Sequence, residues 1–349
     1  MRFLFFIPDT PIARGGISVT LDVIEVLNTN GIPALAIYDR PDFEYNIHTK
    51  RAPRVWSQSM RQPRDLSGLK NKARLIRDIA LGRNKRPRKN AEPCAAWERQ
   101  KDDVLVVPEW VSEWMPHNLP SDLPLVLFNQ NPFSLLYAFA KPGFEKDRYL
   151  TSLSVSDACS AGSRMVLGKE PVTFPLYISD ELYSFQPQKK FQIAYMPRKR
   201  GGEATALVKT LQAAPELEGI SFVPIGGVTT KEAARLIRES LFFLSFSDRE
   251  GFGLPPAEAM ATGSVVIGYA GVGGDEFFDA STGILVPENN VTLFYEEAVR
   301  VIAGYRSNPE GLDGLRRKAS EIIAKRYNRA NFEAGVLDAF SQIESLVRT

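Results

Sequence analysis

The chain has 349 residues, 44% of them hydrophobic and 24% charged, which suits two globular domains and excludes disordered and fibrous classes. A net charge of +2 says nothing about partners, and two cysteines, Cys94 and Cys159, are too few for a disulfide framework and fit a reducing compartment. No stretch approaches the roughly 20 apolar residues of a membrane span, and the opening run to Ile7 stops at Pro8-Asp9, too short for a signal-peptide core, so a cytoplasmic location is expected.

The N-terminal half alternates strands and helices. Phe3–Ile7 is a short apolar run of strand length, followed by Gly15-Gly16 in a loop. Ile17–Leu27 carries apolar residues at helical spacing and stops near Asn30-Gly31. Apolar runs at Ala34–Tyr38, Val104–Val107, Leu125–Phe128 and Leu153–Val155 read as buried parallel strands, with helical patterns in several of the gaps. The second half repeats this alternation. Strands are expected at Phe191–Met196, Ile220–Ile225, Leu241–Phe246, Val265–Gly268 and Gly283–Val286. Helices are expected at Glu203–Ala213, Thr230–Arg238 (capped by Thr229 or Thr230), Pro255–Ala261, Val291–Tyr305, Gly311–Arg326 and Phe332–Val347.

Repeated alternation predicts doubly wound parallel sheets, one in each half. The expected domains are residues 1–180 and 181–330, with the hinge between Pro175 and Pro187 and a last helix, 331–349, packing back on the first domain. Ligands of open α/β sheets bind at the carboxyl ends of the strands, which here would face each other across a cleft.

Charge is distributed unevenly. Residues 51–90 hold thirteen Lys or Arg against two acids, Asp65 and Asp78, leaving a net of −9 elsewhere. Within this block Leu66–Leu81 reads as a basic amphipathic helix, a pattern suited to an anionic membrane surface. Nucleic acid is not an expected partner, because no nucleic-acid module accompanies the charge.

The most informative segment is Ser247-Asp248-Arg249-Glu250-Gly251-Phe252-Gly253-Leu254-Pro255-Pro256-Ala257-Glu258-Ala259-Met260-Ala261-Thr262-Gly263. An apolar strand ends at about Phe246, and a loop with two glycines leads into a helix whose first position is expected to be Pro255. Gly251 and Gly253 allow the backbone to bend and approach a ligand, and the free N–H groups at the helix start form a seat for phosphate. Glu258, expected in the first turn, has two acceptor oxygens suited to a vicinal diol such as a ribose. Glu250 lies one loop away and can face whatever the phosphates carry.

This segment resembles the Glu-x7-Glu signature of retaining GT-B glycosyltransferases of the family-four, or group 1, type, with Glu250 and Glu258 as its two acids. The likeness runs on to Val265-Val266 and to the glycine-rich turn and acid at Gly271–Glu276. Gly15-Gly16 matches the loop that in the family approaches the phosphates and acceptor. The resemblance implies that Glu250 contacts donor-sugar hydroxyls and Glu258 the ribose. It implies that backbone around Gly251, Phe252, Gly253 and Leu254 contacts the pyrophosphate or sugar. Family members neutralise the pyrophosphate with an Arg and a Lys, for which Arg198 and Lys199 are the candidates. Their adjacency departs from the family's usual wider spacing, and with Arg200 next in the sequence it is open which of the three cations contacts the donor. The expected reaction is transfer from a nucleotide sugar to a glycan or lipid-linked acceptor in surface polysaccharide or glycolipid synthesis, with retention, no cofactor and no metal.

Other residues are candidates by position. Asn129, Gln130 and Asn131 follow an apolar strand, so they are expected to point at the cleft, although Asn131 before Pro132 also reads as a turn. Glu109, just past Val104–Val107, is a further acceptor or sugar candidate. The two histidines, His48 and His117, are read as structural. A nicotinamide oxidoreductase is disfavoured, since Pro8-Asp9-Thr10-Pro11-Ile12-Ala13-Arg14-Gly15-Gly16 lacks Gly-x-Gly-x-x-Gly spacing. A nucleotide-sugar epimerase of GT-B fold and a non-catalytic partner in a polysaccharide assembly complex are the remaining alternatives.

Overall fold

The computed structural model describes residues 1–9, 15–45, 51–61 and 90–348. His48 and the basic stretch 62–89, with its expected amphipathic helix, lie outside the described residues. The first sheet is built from β1 (Arg2–Phe6), β2 (Ala34–Tyr38), β3 (Arg54–Trp56), β4 (Asp103–Pro108), β5 (Leu125–Asn129), β6 (Tyr149–Ser154) and β7 (Val172–Thr173). The strands run parallel in the order β3-β2-β1-β4-β5-β6-β7. Helices α1 (Gly15–Thr29), α2 (Pro132–Phe139) and α3 (Asp157–Leu167) follow β1, β5 and β6.

The second sheet contains β8 (Lys190–Tyr195), β9 (Ser221–Pro224), β10 (Ser240–Phe246), β11 (Val265–Tyr269) and β12 (Ile284–Leu285), parallel in the order β12-β11-β10-β8-β9. Its helices are α4 (Gly201–Gln212), α5 (Thr230–Glu239), α6 (Leu254–Ala261), α7 (Val291–Tyr305), α8 (Glu310–Arg326) and α9 (Arg329–Arg348). Two parallel α/β units are therefore present. All positions of β4, β5, β10 and β11 are buried, as continuous apolar runs covered on both faces require.

Several local differences have clear causes. β6 starts at Tyr149 rather than Leu153, because Thr151, Ser152 and Ser154 are buried strand residues despite their hydroxyls. Asn131-Pro132 starts helix α2 instead of a turn: the Asn131 side chain accepts from the N–H groups of Phe133 and Ser134, and Pro132 occupies the first turn. Thr229 is the cap of α5, accepting from Glu232 N–H.

The chain passes between the sheets twice, and the two passages touch: Ile178 N–H donates to Tyr327 O at 2.8 Å. The final helix α9 then lies on the first sheet, with the Phe340 ring 4.7 Å from that of Phe3 and Phe332 5.7 Å from Phe174. Just before β8, Lys189 ties the first passage into the second sheet. Its Nζ donates to the carbonyls of Ile237 (3.2 Å) and Arg238 (2.9 Å) at the end of α5, and to the Thr262 and Ser264 hydroxyls beyond α6 (both 3.1 Å). Lys189→Met leaves these buried acceptors without their donor and is expected to lower unfolding free energy by about 2–3 kcal/mol. Urea denaturation measures this; a loss below about 0.5 kcal/mol would show that the knot is dispensable.

Candidate functional site

Between β10 and α6 the chain turns sharply. Gly253 caps α6 with φ 95°, a left-handed value suited to glycine. The helix starts at Leu254, one residue earlier than expected, so Glu258 is its fifth residue and lies beyond the first turn. Pro255 and Pro256 have no N–H, which leaves the amides of Gly253 and Leu254 as the donors at this helix start. Phe252 points the other way: its ring packs 5.0 Å from Phe277 and 4.9 Å from Tyr327, so only its backbone is available to a ligand.

Glu258 lines a cavity of about 280 Å³ with Gly15 and Asp22 of α1, Ser179 and Tyr183 of the first passage, and Leu254. Burial raises the Glu258 carboxyl to about 7, and a hydrogen bond from the Tyr183 hydroxyl opposes that rise. Tyr183 is itself buried, and burial raises its phenol above its ordinary value. No local sequence signal distinguishes Tyr183 from an apolar filler of the passage.

Glu250 is held differently. Its N–H donates to Gly271 O at 2.9 Å, and Lys199 Nζ lies 3.2 Å from its Oε1. Arg198 is exposed, with no ion pair among the described residues. Arg200 is committed elsewhere: it pairs with Glu203 (3.3 Å), Asp248 (3.2 Å) and Glu288, and lies over the Tyr269 ring. Of the three adjacent cations, Arg198 and Lys199 face solvent and Arg200 is part of the architecture.

The first sheet supplies the opposite wall. Gly15 and Gly16 open α1, and a Cβ on Gly15 would lie 3.1 Å from Leu254 Cδ1 of the second sheet. The Gln130 side chain rests against Gly16 and reaches Thr20 Oγ1 at 3.4 Å. The expectation that Asn129 points at the cleft is corrected. It is fully buried, its Nδ2 donates to Cys159 O (2.8 Å) and Ser163 Oγ (3.0 Å), and its Oδ1 accepts from Asn131 N–H. Asn131 instead reaches the second sheet, donating to Arg249 O at 2.8 Å. His117 bridges surface segments, with Nε2 2.7 Å from Gly143 O and Nδ1 3.2 Å from Glu145.

Glu109 is buried at the carboxyl end of β4, and Gln130 N–H donates to it at 3.3 Å. Burial raises its pKa to about 7 from 4.5. The folded protein thus keeps a proton that the unfolded chain releases between pH 4.5 and 7, so this group makes stability fall as pH rises through that window. Glu109→Gln removes that component and is expected to be more stable than wild type by roughly 2 kcal/mol at about pH 8. Urea midpoints for both proteins across the window measure it; parallel pH profiles would refute it.

The family described as "Glycosyl transferases group 1" matches residues 200–304, the stretch that carries both glutamates. The chain is 29% identical over 263 residues to an alpha-1,6-glucosyltransferase of Actinobacillus pleuropneumoniae, covering 70% of this chain and 77% of that one. HepE of Anabaena, solved with UDP-glucose, superposes with a TM-score of 0.63 at 14% identity, over 98% of this chain and 100% of that one. The pneumococcal O-GlcNAc transferase GtfA, solved with UDP and GlcNAc, gives 0.66 at 11% identity, over 100% and 99%. The sheet arrangement of this chain is thus the GT-B fold, and these matches favour a transferase over an epimerase or a non-catalytic partner. The family match over residues 200–304, the glucosyltransferase relative and the GT-B fold together support a group 1 GT-B glycosyltransferase.

Proposed function

We propose that this glycosyltransferase moves glucose from UDP-glucose to a glycan or lipid-linked acceptor with retention of anomeric configuration. The observation that carries the reading is the placement of Glu250 and Glu258 on either side of one glycine turn, with Lys199 beside Glu250 and Gly15 in the cavity that Glu258 lines. The glucosyltransferase of A. pleuropneumoniae and HepE with UDP-glucose favour this donor.

In this reading the ribose hydroxyls donate to Glu258, whose buried carboxyl is steadied by Tyr183. The diphosphate meets the Gly253 and Leu254 amides and draws Lys199 away from Glu250. Glu250 is then free to accept from the sugar hydroxyls, so one binding event exchanges an internal ion pair for two ligand contacts. As the glycosidic bond loosens, Arg198, Lys199 and the amides stabilise charge developing on the diphosphate. The acceptor attacks from the leaving-group face, and the leaving phosphate takes its proton. Protein cations fill the role a metal would take, and no cofactor takes part. Glu109 and Gln130 form the acceptor-side wall, and the product belongs to surface polysaccharide or glycolipid synthesis.

A thermal-shift panel with UDP, GDP, ADP, dTDP and NAD tests the donor site. A ligand at about a hundred times its dissociation constant adds about 2.7 kcal/mol to the native state. UDP is expected to raise the melting temperature of wild type and not of Glu258→Ala, and UDP-glucose turnover in EDTA is expected to yield the α product by NMR. A shift with NAD alone would sink the reading, and a β product would sink retention. The basic block at 51–90 supports a second expectation: the protein pellets with anionic vesicles at low salt and is released at high salt. Failure to pellet at low salt removes the membrane-surface reading.

A further inference from the structure

Two helix caps of the first sheet hold the carbonyls on either side of Glu250. Asn131 Oδ1 accepts from Phe133 N–H (3.0 Å) and Ser134 N–H (3.1 Å), which starts α2, while its Nδ2 donates to Arg249 O at 2.8 Å. Ser156 Oγ accepts from Cys159 N–H at 3.1 Å, which starts α3, and donates to Gly251 O. Each side chain thus serves its own helix with an acceptor and the opposite sheet with a donor. The residues they grip are those immediately before and after Glu250.

The gripped loop is tightly constrained. Arg249 has φ 48°, a left-handed value uncommon for a residue with a side chain, and its guanidinium is 3.0 Å from the Tyr137 hydroxyl of α2. A Cβ on Gly251 would stand 1.9 Å from Gln130 O, so this backbone lies directly on the first sheet's loop. From its own sheet the loop receives the bond between Glu250 N–H and Gly271 O. These contacts set where the Glu250 carboxylate points, and most of them come from the other side of the cleft.

We propose that Asn131 and Ser156 are positioning residues that bring Glu250 into register with the donor sugar when the two sheets meet. The caps link approach of the first sheet to the aim of a group in the second. Neither residue need touch the substrate. The inference rests on the reading that Glu250 addresses the donor sugar.

Asn131→Asp separates the two jobs. Aspartate is as good a cap as asparagine, but its ionised carboxylate has no proton for Arg249 O. Asn131→Ser controls for the added charge: it is an uncharged cap whose hydroxyl, one bond closer to the backbone than the Asn131 amide nitrogen, falls short of Arg249 O, and Ser156→Thr retains both functions of Ser156. The readouts are UDP-glucose hydrolysis without acceptor, UDP affinity, melting temperature and hydrogen exchange. Asn131→Asp and Asn131→Ser are expected to cut kcat at least ten-fold, with UDP affinity and melting temperature close to wild type. Exchange should quicken in residues 247–254 and stay unchanged in 132–139, and Ser156→Thr should behave like wild type. Wild-type kcat and wild-type loop exchange in Asn131→Asp, alongside an inactive Glu250→Gln, would overturn the positioning role alone. If Glu250→Gln also turned over normally, the donor-sugar reading would fall. The exchange of 247–254 would then decide by itself whether the caps hold the loop.

Discussion

The structure depends on the contact at Gly251, where the backbones of the two sheets' loops meet without an intervening side chain. A Cβ there would be 1.9 Å from Gln130 O, and one on Gly273 would be 2.3 Å from Gly251 C. The loop is therefore packed between Gln130 on one side and the glycine turn at 271–274 on the other. Any larger residue at 251 would push the sheets apart or lift the loop away from Gly271. Because α6 starts from this loop, the direction of the helix and the place of Glu258 follow from the same contact. The touching passages at Ile178 and Tyr327 supply a second fixed point. Two such points leave the cleft walls little freedom to slide.

Charge is managed differently at the two glutamates. Among the described residues no cation lies against Glu258 or Glu109, so desolvation dominates and raises both to about 7. A ligand that brings hydroxyl donors relieves that penalty, which makes an empty site slightly destabilised and a filled one favourable. Glu250 has the opposite environment, with Lys199 beside it and more solvent around it. It is a carboxylate whose partner can be exchanged. Arg200 shows why adjacency in sequence does not make three cations equivalent. It is anchored among Glu203, Asp248 and Glu288 and joins the turn after β8 to the loop after β10.

Much of this was legible in the sequence because it is local. Strand, glycine turn, proline and helix follow one another from Leu241 to Ala261, and each residue type has one good place in that order. The start of α6 was misplaced by one residue because proline is tolerated at either of the first two positions. Asn129 was misread for a different reason. Alternation along β5 decides which face a side chain takes, and Asn129 pairs with Ser154 inside the sheet rather than ending in the cleft. Tyr183 and Ser156 were not legible as site residues, since their partners lie far along the chain. Ser156 is 95 residues from Gly251. A serine before Asp157 signals a helix start, and nothing local indicates that its proton is used across the cleft.

The topology explains why caps are found at this place. In a parallel α/β sheet each helix follows a strand, so helix N-termini gather at the carboxyl edge, the edge that faces the ligand. When two such sheets face each other, the caps of one stand opposite the loops of the other. An aspartate cap would satisfy its own helix as well as an asparagine or a serine does. It would offer the opposite carbonyl a lone pair where a proton is needed. Asn131 and Ser156 keep a donor after capping, and Arg249 O and Gly251 O accept it. Helix capping alone accounts for an oxygen at these two positions; the choice of side chains that also carry a proton is accounted for by the opposing loop.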